Sequence, residues 1–285
     1  MKILDACGPN AGQVAFWNTD AGTRWVMMQE ALDQELRPLG LRAIDALAPL
    51  PGEQVVDIGC GCGDTSIELA RRVGPSGSVV GVDLSAPMLE AARRRAEAAD
   101  LSHARFVQAD AQTYPLEIAD GVFSRFGVMF FADPVAAFVN IRRGLRPGGR
   151  LAFVCWRPMA NNPWMSIPLD AIIHLLPAPP PPPDPLAPGP FAFADRTRVE
   201  TILAEAGFDD VVITPHDERI GWSDLEVATR TAMGHSPVAA VQRAHPHLQV
   251  QIVDAVRATL ASHADAQGVF LPSATWIVVA QKRSS

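Results

Sequence analysis

Cysteine is scarce in this chain, lysine and arginine never gather into a long run, and no extended apolar stretch occurs. The four cysteines among 285 residues are Cys7, Cys60, Cys62 and Cys155. Thiols so placed make no disulfide framework of the secreted kind. The Cys60-x-Cys62 pair has no second Cys or His pair at zinc-finger spacing, so no metal site is expected. The formal net charge is −7, and basic clusters go no further than stretches such as Arg93-Arg94-Arg95. Without a surface that neutralises phosphates, a nucleic-acid partner is not expected. Nowhere do about 18 apolar residues run together, and no apolar h-region follows Met1-Lys2-Ile3-Leu4-Asp5. These absences predict a cytoplasmic protein with no stable membrane insertion.

Hydrophobic residues make up 48% and charged residues 19% of the chain, the composition of a folded globular protein. The length suits one large α/β domain carrying an insertion. Apolar spacing at Trp25, Met28, Ala31, Leu32 and Leu36 predicts a helical stripe that Arg37-Pro38 interrupts, hence two helices within a lid over 1–50. From 51 to 157, strand and helix alternate. Strands are expected over 54–58, 78–82, 104–108, 121–126 and 150–155, with helices over 64–73, 86–99 and 134–145. Such alternation implies βαβ units and a parallel sheet. A Pro-rich insertion covers 158–195, with an unbroken run from Pro179 to Pro183 that reads as an extended loop. The remainder of the core is expected over 196–221 and 268–285, with strands over 211–214 and 275–280. A helical cap is expected over 222–267.

The chemistry concentrates at the ends of the strands. Val55-Val56-Asp57-Ile58 runs into Gly59-Cys60-Gly61-Cys62-Gly63, whose glycines let the backbone turn sharply and approach a ligand. A dinucleotide loop needs G-x-G-x-x-G, but the last position is Asp64 counted from Gly59 and Ser66 counted from Gly61. The carboxylate of Asp57 would repel a pyrophosphate and suits an ammonium group instead. Asp83 ends the second strand, where a carboxylate can accept both hydroxyls of a ribose. Asp110 follows the third strand, within reach of an adenine amino group. Ser124-Arg125-Phe126-Gly127 ends the fourth, at the sheet edge where open α/β sheets bind ligands.

Asp57-x-Gly59-x-Gly61-x-Gly63, the Gly81-Val82-Asp83-Leu84-Ser85-x-x-Met88-Leu89 segment, Asp110 and Leu145-x-Pro147-Gly148-Gly149 together resemble the motifs of class I S-adenosylmethionine-dependent methyltransferases. Within them the chain is similar to the bacterial small-molecule group related to ubiquinone and menaquinone biosynthesis enzymes. The resemblance implies an α/β Rossmann-like fold: a seven-stranded, mostly parallel sheet with helices on both faces, plus N-terminal helices and an inserted helical cap. It also implies S-adenosyl-L-methionine as cofactor and S-adenosyl-L-homocysteine as product. Asp57, Gly59, Gly61 and Gly63 would hold the methionine portion, Asp83 the ribose, and Met88 and Asp110 the adenine, with Phe126 beside the methionine portion and the acceptor. Trp25, Leu84, Ala111 and Arg125 complete the cofactor set. Trp17, Met129, Phe130 and Trp156 are the expected substrate contacts, with Trp164 and Trp222 as further apolar lining.

The expected reaction is methyl transfer to a small, lipophilic or aromatic molecule, achieved chiefly by proximity and orientation. A non-methylating use of the cofactor and a non-catalytic cofactor-binding partner protein are the alternatives. His174 and His235 are the candidate bases for an acceptor that needs one. The chain lacks the Asp/Asn-Pro-Pro-aromatic motif of enzymes that methylate the amino groups of nucleic-acid bases. Cys155 lacks the neighbours of a catalytic thiol. A homodimer is compatible with the sequence.

Overall fold

A computed structural model describes residues 4–179, 184–235 and 237–283. Strands β1 (Gln54–Ile58), β2 (Ser78–Asp83), β3 (Ala104–Gln108), β4 (Ala119–Arg125) and β5 (Leu145–Trp156) form the first part of the sheet. Strands β6 (Asp209–Trp222), β7 (Ala264–Asp265) and β8 (Gly268–Gln281) complete it. The order is β3-β2-β1-β4-β5-β8-β6, with the short β7 pairing β8 off this path. Strands β1 to β5 pair in parallel, whereas β8 runs antiparallel to β5, β6 and β7. The seven strands of the main path match the expected sheet. Four consecutive residues of β1, Val55 to Ile58, are buried, so this strand is covered on both faces. Chain order reverses between β1 and β4, and a crevice opens at the carboxyl ends of strands at such a reversal.

Helices α4 (Asp64–Val73), α5 (Ala86–Ala98) and α6 (Pro134–Gly144) are the crossovers, close to their expected bounds. Ser85 caps α5 through its side chain, and Asp133 caps α6 ahead of Pro134. The N-terminal region departs from expectation. It holds three helices rather than two: α1 (Ala11–Trp17), α2 (Asp20–Met27) and α3 (Gln29–Leu47). The break falls at Met28, and α3 continues through Pro38. An interior proline costs about 3 kcal/mol. Leu32, Leu36, Leu39, Ala43, Ile44 and Leu47 of α3 are all buried, and that burial outweighs the cost.

The segment 158–195 is likewise more than a Pro-rich loop, because α7 (Pro163–Ile173) lies within it. Pro163 stands where a helix tolerates proline, and Trp164, Met165, Pro168 and Ile172 of this helix are buried. Residues 180–183 of the proline run lie outside the described residues. After α8 (Arg196–Glu205), strand β6 runs to Trp222, well past the expected 211–214. As an edge strand it tolerates Pro215 in its middle. The region 222–267 contains α9 (Leu225–His235), α10 (Pro237–Ala244) and α11 (Gln249–Ala261), packed on one another and on α7.

Candidate functional site

Backbone contacts shape the loop that follows β1. Gly59, Gly61 and Gly63 all have positive φ, at 68°, 53° and 83°, a conformation that side chains disfavour. A Cβ on Gly59 would lie 2.7 Å from the Cα of Gly127, and one on Gly127 would lie 2.7 Å from the carbonyl oxygen of Ile58. The turns after β1 and β4 thus touch backbone to backbone. Ser124 Oγ fastens them, donating to the Ile58 carbonyl at 2.7 Å and accepting from the Gly127 amide at 3.2 Å. Gly63 instead faces α5, where a Cβ would meet that of Ala92 at 2.9 Å.

The carboxylates at the strand ends differ in their surroundings. Asp57 is fully buried; its Oδ2 accepts from Thr65 Oγ1 at 2.8 Å and Ser66 Oγ at 2.6 Å, while Oδ1 has no hydrogen-bond partner. Burial pushes its carboxyl up to about 6, against the opposing effect of those two hydroxyls. Asp83 is raised by burial too. Its Oδ2 accepts from the Gly61 amide and its Oδ1 from the Ser85 amide, both at 2.8 Å. One backbone donor on each oxygen leaves each with a free lone pair. Asp110 Oδ1 accepts from Asn10 Nδ2 at 2.8 Å and from the Gln112 amide at 2.9 Å. Asn10 also accepts from the Ala132 amide at 2.7 Å, tying the chain ahead of α1 to the ends of two strands.

A cavity of about 360 Å³ opens over these strand ends, within the range of small-molecule sites. Its lining includes Gly59, Cys60, Gly61, Asp83, Leu84, Met88, Asp110 and Ala111. Aromatic side chains line it as well. Phe126 stacks on Trp156 at 4.2 Å between centroids, Trp156 meets Trp164 at 4.9 Å, and Trp17 meets Trp25 at 5.7 Å and Phe130 at 5.9 Å. Phe126 has φ +62°, a left-handed conformation that costs about 1–3 kcal/mol in a bulky residue. It follows β4, with its amide donating to the Val154 carbonyl at 3.1 Å, and it lines the cavity.

Expected lining residues Trp17, Trp25, Leu84, Met88, Ala111, Arg125, Phe126, Met129, Phe130, Trp156 and Trp164 therefore meet at one cavity. Asp57 and Gly63 do not line it; they lie behind the loop and shape it from within. Trp222 is a correction: it is 2% exposed at the end of β6 and belongs to the core. His174 caps the exposed end of α7 and is not in the lining. His235 ends α9, and its side chain lies outside the described residues. Cys60 and Cys62 reach the cavity, but burial raises both thiols, Cys62 to about 12, which keeps them protonated. Cys155 is buried and raised for the same reason.

Several lining residues carry no local signal in the sequence: Asn10, Arg24, Met28, Asp33, Met165 and Arg243. Asp33 of α3 pairs with Arg95 at 2.8 Å and with Arg125 at 3.6 Å, and Arg125 also holds Asp64 at 2.9 Å. Arg37 completes this network through Asp64 and through Glu68 at 3.3 Å. The network fastens α3 to α4, α5 and the end of β4. No group of three or more metal-ligating side chains occurs among the described residues.

Residues 55–149 match a family model described as a methyltransferase domain. The chain is 37% identical over 118 residues to aklanonic acid methyltransferase DauC of Streptomyces sp. (strain C5), covering 41% of this chain and 54% of that one. It is 39% identical over 121 residues to demethylmenaquinone methyltransferase of Thermus thermophilus, covering 41% and 53%. It thus spans about half the length of these relatives. Among solved structures, the YcgJ protein of Bacillus subtilis aligns with TM-score 0.56 at 18% identity, covering 87% of this chain and 98% of that one. A phosphoethanolamine N-methyltransferase of Haemonchus contortus aligns with TM-score 0.58 at 18% identity, covering 97% and 60%. These two likenesses concern the fold. Strand order, strand-end carboxylates and family match agree: residues 55–149 carry the match to the methyltransferase domain model, on a Rossmann-like α/β fold.

Proposed function

We propose that this chain transfers the methyl group of S-adenosyl-L-methionine to a small lipophilic or aromatic acceptor, releasing S-adenosyl-L-homocysteine. The observation that carries the reading is one continuous cavity joining the glycine loop and two strand-end carboxylates to an aromatic wall. The residues present fit the cofactor. A Cβ added at Gly61 would lie 3.7 Å from Met88 Sδ and 4.0 Å from Trp25 Nε1, filling a cradle that those side chains enclose. Asp83 keeps a free lone pair on each oxygen for the two ribose hydroxyls. Asp110, oriented by Asn10 and the Gln112 amide, would accept from the adenine amino group.

When bound, the cofactor supplies an electrophilic methyl group on a sulfonium. The protein then has to hold the acceptor in line and keep water out. The stacked Phe126–Trp156 pair makes an apolar wall against which a planar acceptor can lie, and Met129 and Phe130 line the same cavity. The N-terminal helices act as a lid and α9 to α11 as a cap. Met28 approaches Gly234 so closely that a Cβ there would be 2.3 Å from the methionine sulfur, so lid and cap meet above the cavity.

The substrate in this reading is a free small molecule rather than nucleic acid, in keeping with a net charge of −7. No helix among the described residues is long and apolar enough to cross a membrane. The proposed location is the cytoplasm. Light scattering on the purified protein tests for a homodimer. Methyl-labelled cofactor, incubated with the protein and a panel of hydroxylated naphthoquinones and anthraquinones, tests the activity. Label extracted into organic solvent supports the reading, provided Asp83→Ala abolishes it. Failure of the cofactor to bind would refute it.

A further inference from the structure

The described lining of the cavity holds no histidine, lysine, tyrosine or glutamate, so an acceptor against Phe126, Trp156 and Trp164 meets no ordinary general base there. Its carboxylates are already engaged. Asp33 is held by Arg95 and Arg125, and Asp83 and Asp110 accept backbone amides at the strand ends. The lining does hold three arginines. Arg125 is tied to Asp33 and Asp64, whereas Arg24 and Arg243 have no carboxylate at ion-pairing distance among the described residues.

The methionine end of the cofactor carries one carboxylate, which can occupy one of these two cations. Arg24 precedes Trp25, whose Nε1 stands over Gly61 in the cofactor cradle. Arg243 belongs to the cap. It sits on α10, which packs against α7, and α7 contributes Trp164 and Met165 to the acceptor wall. Arg243, exposed to solvent, is thus a second cation at the cavity lining, on the helix that packs against α7. An acceptor whose reacting group is already ionised needs no base, and a guanidinium both stabilises that ion and fixes its direction.

We propose that Arg243 is a specificity-determining residue that binds an anionic group, a carboxylate or an ionised phenol or enol, on a planar methyl acceptor. The proposal rests on the methyltransferase reading above. It is tested with protein saturated in S-adenosylhomocysteine, titrated with 2-naphthoate and with its neutral isostere 2-naphthamide. The wild type binds the acid at least about tenfold more tightly than the amide, the size of one charge-assisted hydrogen bond. Arg243→Ala lowers that preference to about twofold or less, and Arg243→Lys restores part of it. Arg24→Ala keeps the preference but weakens S-adenosylhomocysteine itself. Equal binding of the two probes by the wild type, binding of neither, or a preference unchanged in Arg243→Ala overturns the proposal. His235→Ala, which removes the histidine next to Gly234, leaves the preference intact; a loss there would move the anion site to His235 and contradict the assignment. If S-adenosylhomocysteine does not bind at all, it is the underlying methyltransferase reading that has failed.

Discussion

Asp57 carries a stability cost that its position explains. Its folded-state carboxyl lies near 6 and its ordinary value is 3.8, so the folded protein holds that proton more firmly than the unfolded chain does. The cost of ionising it is absent below about pH 4, grows as pH rises through this window, and is complete above about pH 6. A shift of about two units corresponds to at most about 3 kcal/mol. Asparagine can still accept from Thr65 and Ser66 but has no charge to bury. Asp57→Asn is therefore expected to be more stable than the wild type by about 1–3 kcal/mol at pH 8, with the difference vanishing near pH 4. Urea unfolding of both proteins across that range checks it, and a pH-independent difference would count against the argument. Gly127 offers a second test at this scale. Alanine there collides with the Ile58 carbonyl and, at 2.9 Å, with the Gly59 Cα, so Gly127→Ala is expected to lower S-adenosylhomocysteine affinity at least about tenfold while circular dichroism stays unchanged.

The elements that were legible in the sequence are those whose local pattern agrees with their final packing. β1 and β2 are short, largely apolar runs ended by Gly or Asp, and α5 and α6 start at a capping residue with proline in the first two helical positions, so their bounds emerge without tertiary information. α3 departs from its sequence pattern because Pro38 is a local stop signal that burial of the surrounding leucines overrides. Pro38→Ala restores the missing N–H and is expected to stabilise the protein by about 1–3 kcal/mol without altering ligand affinity. A denaturation midpoint that does not rise would show that the helix has already relaxed around the proline. Strand β6 runs past its expected end because Pro215, His216, Asp217, Glu218 and Arg219 have the local composition of a loop. Their pairing with β8 from Pro215↔Trp276 to Arg219↔Pro272 is a long-range fact at the sheet edge, outside any sequence window.

Across the whole molecule, the cofactor half of the site could be anticipated and the acceptor half only in part. Asp83, Asp110 and the glycines sit at strand ends, where fold and motif coincide. Asn10, Met28, Asp33, Met165 and Arg243 come from four separate stretches of chain and meet only because the N-terminal helices, α7 and α10 converge over the sheet. No spacing rule links residues brought together that way. The proposed activity requires that this convergence enclose a methionine-bearing nucleoside. Isothermal titration of S-adenosylhomocysteine into the wild type and Asp83→Ala tests that claim most directly. The account predicts one site per chain, with affinity at least about tenfold weaker in the variant, the size of a lost hydrogen-bonded carboxylate. Absence of binding by the wild type, or equal affinity in both proteins, would contradict it.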